Sequence, residues 1–159
     1  MQSVLETVVI QFTATYGTLR KQTDGLTHAD SLLQLPFRGN CLNWTVGHIL
    51  FARNNLCKMM GIRPFWTDEE TAPYGRDSVP ITPENAHIAH RLENLLALHE
   101  RSQGIIIPAI EHLTEADLQK PFRDNVVGYW LARSAYHEAY HVGQTEILRQ
   151  LAGKNDQIL

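Results

Sequence analysis

Two histidines four residues apart, His137 and His141, have the type and spacing that best suit chemistry in this sequence. Residues four apart on an α-helix differ by about 40° in direction, so both imidazole rings would point to one side. Two neutral imidazoles placed in this way can take adjacent positions around one metal ion. Their neighbours on the same helical face include Trp130 and Leu148. At core positions between such neighbours, a leucine would pack better than a histidine. We interpret the pair as metal ligands.

A third histidine, His48, lies on an earlier helical segment beside Trp44 and Asn55, and it is either the third ligand or a structural histidine of the core or its rim. Three neutral imidazoles leave an ion such as Zn²⁺ one open position, which is typical of catalytic rather than structural sites. An ion held in this way lowers the pKa of a bound water or thiol. Ligand type alone does not choose among zinc, nickel, iron and manganese. Of these divalent metals, Zn²⁺ and Ni²⁺ are the ions that we expect.

Two other metal sites fit parts of the same helix. Residues 137–141 match the His-Glu-x-x-His pattern of zinc hydrolases, in which the glutamate, here Glu138, is the general base. Such a site needs a third ligand downstream, where the candidates are Glu146 and Asp156, and a strand beside it that the sequence does not indicate.

A di-iron bundle requires two Glu-x-x-His motifs and a carboxylate from each of two further helices. Glu84–His87 and Glu138–His141 supply the motifs, and Glu6 supplies one carboxylate. Residues 41–63 contain no Asp or Glu, so the second carboxylate is missing.

The composition limits the class of protein. A chain of 159 residues with 43% hydrophobic residues is long enough for a single domain, residues 1–159, with a core of its own. Its net charge of −3 and the lack of a basic patch argue against a nucleic-acid partner. No apolar run approaches the roughly 20 residues that a membrane span needs. We expect no membrane partner.

The expected compartment is the cytoplasm. The opening residues lack the basic region and cleavage site of a signal peptide. Cys41 and Cys57 have no metal-binding spacing and are expected to be buried free thiols in a reducing environment.

Hydrophobic periodicity predicts four long helices and no strands. Three of them are expected at about residues 2–22, 42–60 and 125–151. The other opens at about residue 82, continues past Gly104 and is interrupted or kinked at Pro108, before Ile110 and Leu113. Four amphipathic helices in a chain of this length form a bundle, since each must bury its apolar stripe against the others. Five further histidines are expected at the surface: His28, His87, His90, His99 and His112.

Three segments resemble the DinB (damage-inducible) family of small metal-binding four-helix bundles. They are Asn43-Trp44-Thr45-Val46-Gly47-His48-Ile49-Leu50, His137-Glu138-Ala139-Tyr140-His141-Val142-Gly143-Gln144 and the Leu-Arg-Gln-Leu-Ala-Gly ending at residues 148–153. The likeness covers nearly the whole chain. It implies an up-down-down-up bundle, a tendency to form homodimers, and a divalent metal held by His48, His137 and His141.

The resemblance also implies an activity. Characterised relatives include mycothiol-dependent maleylpyruvate isomerases and bacillithiol S-transferases, in which the metal is thought to activate the sulfur of a low-molecular-weight thiol. By analogy, this chain is expected to bind such a thiol cofactor and to transfer it to a small-molecule substrate. The alternative is a metal-binding or stress-related helical dimer without turnover.

Five residues are expected around the metal. Glu138 and Gln144 follow the histidines on their helix and are the candidate catalytic groups, with a salt bridge and a polar core-rim position as the respective alternatives. Trp44 and Asn55 flank His48 and are expected to line a pocket. Arg76, in the long loop 64–83, is the candidate partner of a substrate carboxylate.

That loop is expected to be irregular, since four of the seven prolines lie in it. Its twenty residues can reach back from the end of the second helix to the level of His48. We expect it to form one wall of the pocket, with Trp66 and Arg76 contributing to substrate binding.

Overall fold

The computed structural model describes residues 3–156, and it confirms the predicted all-α bundle. The helices are α1 (Val4–Thr23), α2 (His28–Ser31), α3 (Leu42–Met59), α4 (Asp68–Thr71), α5 (Leu92–Glu111), α6 (Glu115–Leu118) and α7 (Val127–Leu151). Two 3₁₀ turns, Ala72–Tyr74 and Pro83–Ile88, lie between α4 and α5. A minimal hairpin of β1 (Pro121–Phe122) and β2 (Asn125–Val126) precedes α7.

Contacts between the four long helices give their order and direction. Helices α1 and α3 each pack against both α5 and α7, so they lie diagonally across the bundle. The chain runs up in α1, down in α3, down in α5 and up in α7, as the family resemblance implies. The contact pairs that fix these directions are Thr15–Glu138 and Gln22–Thr145 for α1 with α7, Trp44–His141 and His48–His137 for α3 with α7, and Asn43–His90 and Arg53–Ser102 for α3 with the α5 segment.

All four long helices contribute to one apolar core. Burial of each large aliphatic or aromatic side chain contributes about 1.5–3 kcal/mol relative to leaving it exposed. The fully buried members include Phe12, Leu19, Leu42, Ile49, Leu50, Leu95, Ile106, Ile110 and Leu131.

A polar cluster lies at the centre of this core. Arg53 is 1% exposed, and its guanidinium donates two hydrogen bonds of 2.7 Å to the carboxylate of Glu138. Thr15 also donates to that carboxylate, while Ser102 accepts from Arg53. Each of the four long helices therefore supplies one member of the cluster. Because every polar group in it has a partner, burial of the ion pair is compensated.

The predicted helix boundaries need three corrections. The third long helix begins at Leu92, because the segment expected to open it is a separate 3₁₀ turn, Pro83–Ile88, capped by Thr82 and Asn85. Pro108 does not interrupt the helix, since α5 continues through it to Glu111. The first helix begins at Val4, and residue 2, its predicted start, lies outside the described residues.

The core-facing side of α7 was predicted only in part. Of the expected face, Leu148 is buried, but Trp130 is only half-buried. The helix instead turns Leu131, Ala135 and Glu138 fully into the bundle. The face that carries the histidines lies beside the core face, toward α3.

Three histidines expected at the surface are buried or half-buried. His99 is 1% exposed, packs against the Tyr16 ring, and its Nε2 has no hydrogen-bond partner among the described residues. His90 packs against Trp66 and Tyr74. His28 accepts a hydrogen bond from the backbone N–H at the start of α5.

Buried His99 makes folding sensitive to acid. Burial, reinforced by the positive charges of Arg53 and Arg20, holds the pKa of His99 well below its ordinary value. As the pH falls below about 6.5, the unfolded chain takes up a proton at this histidine that the folded chain does not. When the pH is lowered from neutral to about one unit below 6.5, we expect this group to lower the unfolding free energy of the metal-free protein by about 1 kcal/mol.

Urea unfolding of His99→Phe at the two pH values measures that contribution. The variant keeps a ring against Tyr16, and its loss of stability with acid should be smaller than that of the wild type by that amount. Equal losses in the two proteins would show that His99 does not contribute.

No helix within residues 3–156 is both long and apolar enough to cross a membrane.

Candidate metal centre

Three histidines meet between α3 and α7. The Nε2 atom of His137 lies 3.2 Å from Nε2 of His48 and 3.2 Å from Nε2 of His141. Among the described residues, these three form the cluster of potential metal ligands, and no carboxylate or thiol joins them. The antiparallel packing of α3 and α7 brings His48 opposite the pair. The structure therefore assembles the predicted ligand set from two helices.

Hydrogen bonds fix the tautomers of two of these rings. Nδ1 of His48 lies 2.7 Å from the backbone carbonyl of Tyr74, which can only accept. Nδ1 of His141 lies 2.8 Å from the side-chain oxygen of Gln144. Each neutral ring therefore carries its proton on Nδ1 and directs the Nε2 lone pair into the cluster. Metal-bound histidines are held in this way by partners on the other ring nitrogen.

The cluster fits a divalent ion better than it fits a hydrogen-bond network. With protons on Nδ1 of His48 and His141, the Nε2 atom of His137 can donate to one of the two facing lone pairs, and the other is left without a donor. Two nitrogens bound at about 2.0–2.1 Å to one tetrahedral ion lie roughly 3.3 Å apart, close to the spacing seen. We conclude that the three residues suit a divalent metal.

The surroundings keep the histidines neutral and able to bind. Burial lowers the pKa of His48, partly opposed by the Tyr74 carbonyl, and burial likewise lowers the pKa of His141. For His137, burial and then the neighbouring His141 and His48 lower the pKa to about 4. Unprotonated imidazole is the form that a metal requires.

Aromatic packing fixes the ring of His48. Trp44 stacks on this ring with 4.4 Å between centroids, and its indole N–H donates to Ser78. Phe51 lies beside the ring at 5.9 Å. Trp44 therefore lies against His48, and its expected part in lining a pocket stays a prediction.

Gly47 allows the loop to reach His48. A Cβ atom at this position would overlap the ring of Tyr74, which is fully buried against α3. The Tyr74 hydroxyl donates to Asn43 and accepts from the backbone N–H of His90. Both bonds hold the hydroxyl end of the ring, so the ring cannot move aside without losing them.

Gly47→Ala should therefore displace Tyr74 and its carbonyl from His48. We expect metal affinity to fall about 10–100-fold, the usual effect of losing an outer partner of a ligand, and stability to fall as well. Gly104→Ala on α5, where a Cβ meets nothing, is the matched control and should leave metal affinity unchanged. Metal titration with a competing chelator measures both, and equal affinities in the two variants would contradict this role of Gly47.

The other predicted site residues lie in different surroundings. Both carboxylate oxygens of Glu138 are bonded in the core cluster to Arg53, the salt-bridge alternative. The side-chain oxygen of Gln144 accepts a hydrogen bond from Nδ1 of His141 and so orients that ring. Asn55 lines a small cavity about two helical turns along α3 from His48. Arg76 is exposed, and no hydrogen bond joins its side chain to the described residues.

The segment 64–83 folds back along α3, as expected, but it is more ordered than predicted. It contains α4 and the turn Ala72–Tyr74. Trp66 is buried, and Asn54 ties its backbone to α3, so its ring belongs to the core rather than to a substrate wall. The contribution of this segment to the site is the carbonyl of Tyr74, which sequence patterns could not reveal because any residue carries that group.

The comparison with known families agrees with this geometry. No curated protein matches the chain in sequence. The sequence pattern of the DinB superfamily matches residues 11–145, which include all three histidines and most of the bundle. The chain belongs to the DinB superfamily.

Proposed function

We propose that this protein is a divalent-metal-dependent enzyme that activates a low-molecular-weight thiol and transfers it to a small electrophilic substrate. The observation that carries the proposal is the set of converging Nε2 lone pairs of His48, His137 and His141, with no fourth protein ligand beside them. Three protein ligands with one position open to an outside molecule are typical of catalytic sites.

The bound ion would lower the pKa of a thiol ligand and hold the thiolate ready for attack. In the overall reaction, the thiol sulfur forms a bond to an electrophilic carbon of the substrate. The bond from that carbon to its leaving group breaks, and the thiol proton passes to solvent or to the departing group. The protein itself orients two of its ligands through Tyr74 and Gln144 and keeps them unprotonated by burial.

Two linked measurements test this function. Addition of cysteine or glutathione to the Co²⁺-loaded protein should produce a sulfur-to-metal charge-transfer band. The Zn²⁺-loaded protein should accelerate alkylation of the same thiol by monochlorobimane, relative to His137→Ala at equal concentration. Absence of both the band and the acceleration would contradict the proposal.

The alternative is a metal-binding dimer without turnover. Such a protein would bind the metal ion, with or without the charge-transfer band, and would not accelerate alkylation of the thiol.

An exposed apolar face of α7 favours a dimer in either case. Tyr136 is 67% exposed and Tyr140 is 56% exposed, and both lie opposite the core-facing side of the helix. The other exposed members of this face are Tyr129, Ala132, Ala139, Gly143 and Ile147.

We propose that this face pairs with a second copy of the chain. When two α7 helices pack antiparallel about a twofold axis beside residues 139 and 140, Tyr136 comes opposite Gly143 of the second copy. A large side chain thus faces a small one, as an isologous interface requires.

Analytical ultracentrifugation of metal-loaded protein tests the dimer. We expect the wild type to sediment at twice the chain mass and Tyr136→Glu to dissociate. Arg101→Gln, at an exposed position on α5, is the control and should leave the dimer intact. A wild-type monomer, or a dimer that Tyr136→Glu leaves intact, would refute this interface.

A further inference from the structure

A line of facing residues between α3 and α7, called the groove here, leads from the histidines toward the hairpin. On α3 the residues along it are His48, Ala52 and Asn55, and on α7 they are His137, Ser134 and Trp130, at helical spacing and in opposite directions. Ala52 and Ser134, about one helical turn from the histidines, line a cavity of about 50 Å³ between these helices and the hairpin. Asn55, Met59, Phe122, Arg123 and Trp130 line it. The cavity has room for a group of carboxylate size.

Two residues of the cavity wall, Trp130 and Asn55, carry hydrogen-bond donors. The indole Nε1–H of Trp130 is shielded from solvent, and it meets no acceptor among the described residues. A buried unpaired donor costs about 1–3 kcal/mol, so the native protein is expected to supply an acceptor for it. Asn55 adds a half-buried amide to the same wall.

Arg123 completes the set from the hairpin turn. Its guanidinium lies 5.3 Å from the Phe122 ring centroid and 5.2 Å from that of Trp130, so the two rings hold it at the cavity. Its backbone φ is 54°, a left-handed conformation that disfavours residues other than glycine and asparagine. An arginine in this conformation indicates a function of its side chain.

The distance along the groove defines the ligand. Asn55 follows His48 by seven residues, and Trp130 precedes His137 by seven, so both lie about 10 Å along the helices from the histidines. A molecule of moderate length can reach both ends. To one end of such a molecule, the lining offers hydrogen-bond donors and the positive charge of Arg123. To the other end it offers the histidine cluster.

We propose that Arg123, Trp130 and Asn55 form an anion subsite that binds the carboxylate of a thiol whose sulfur occupies the metal end of the groove. This inference rests on the proposed function, since it specifies the class of thiol as carboxylate-bearing. It also moves the expected carboxylate partner from Arg76, which lies on another segment and does not line this cavity, to Arg123.

Direct binding to the Co²⁺-loaded protein tests the subsite without any turnover. The probes are ω-mercaptocarboxylates of increasing length, from mercaptoacetate to mercaptooctanoate, and the mercaptoalcohol of each length. Charge-transfer absorption reports sulfur binding. We expect an intermediate length to bind best, and its carboxylate to bind about 10–100-fold more tightly than the matched alcohol.

Two variants and a control locate the effect. Arg123→Gln, and Trp130→Phe, which keeps an aromatic ring, should each reduce the carboxylate's advantage over the alcohol while leaving metal affinity and alcohol binding unchanged. Arg101→Gln, an exposed arginine on α5, should change none of these. Equal affinity for carboxylates and alcohols, or an advantage that survives both variants, would overturn the subsite alone. Absence of the band with every thiol would overturn the proposed function and the subsite with it.

Discussion

Arg53→Met should lower the unfolding free energy of the metal-free protein by about 3–5 kcal/mol. The substitution keeps an unbranched side chain of similar length but leaves the carboxylate of Glu138, only 2% exposed, without its cation. Most of the lost unfolding free energy comes from leaving a buried charge without a partner, rather than from the lost contact itself. Urea unfolding followed by circular dichroism at neutral pH measures the change.

A double variant separates the ion pair from simple packing. With Arg53→Met and Glu138→Leu together, no charge is left unpaired, and Thr15 and Ser102 still donate to carbonyls of their own helices. We expect this variant to recover most of the lost stability, since apolar replacement of a complete buried pair is often neutral. A loss below about 1 kcal/mol for Arg53→Met, as for a surface pair, would contradict the account.

His137→Ala should weaken zinc binding more than about 100-fold, because loss of even an outer partner of a ligand costs roughly 10–100-fold. His137 has the central role, since its Nε2 is 3.2 Å from both of the others. His87→Ala, at an exposed position in the turn Pro83–Ile88, is the matched control. Competition with a chromophoric chelator gives both affinities, and a His137→Ala protein that binds as tightly as the control would show that the ion is held elsewhere.

The ligand pair and the bundle could be predicted from the sequence. The spacing of His137 and His141 sets their common direction on any helix, whatever packs around it. His48 was identified as the third ligand chiefly through the family resemblance, because a lone histidine on a mixed helical face has several explanations. The number of long helices followed from periodicity, and their up-down-down-up order was implied by the resemblance.

The core-facing side of α7 could not be predicted, for a physical reason. This helix carries apolar residues nearly all around: Leu131 toward the core, Trp130 toward the groove and Tyr136 outward. A single hydrophobic stripe therefore does not exist, and periodicity cannot say which side faces the bundle. The same ambiguity concealed the core position of Glu138 and hence its pairing with Arg53, eighty-five residues away.

Contacts made by the backbone could not be predicted from the sequence either. The acceptor that fixes the tautomer of His48 is the carbonyl of Tyr74, whose position depends on Gly47 and on the course of a long connection. Burial of His99 depends on its neighbour Tyr16 on another helix rather than on local sequence.

X-ray absorption of the zinc-loaded wild-type protein in thiol-free buffer tests the central claim most directly. The account predicts one zinc ion per chain, with three imidazole nitrogens at about 2.0–2.1 Å and one further light atom in the remaining position. A sulfur neighbour at about 2.3 Å, which would have to come from Cys41 or Cys57, or a shell with fewer than three imidazoles, would contradict it.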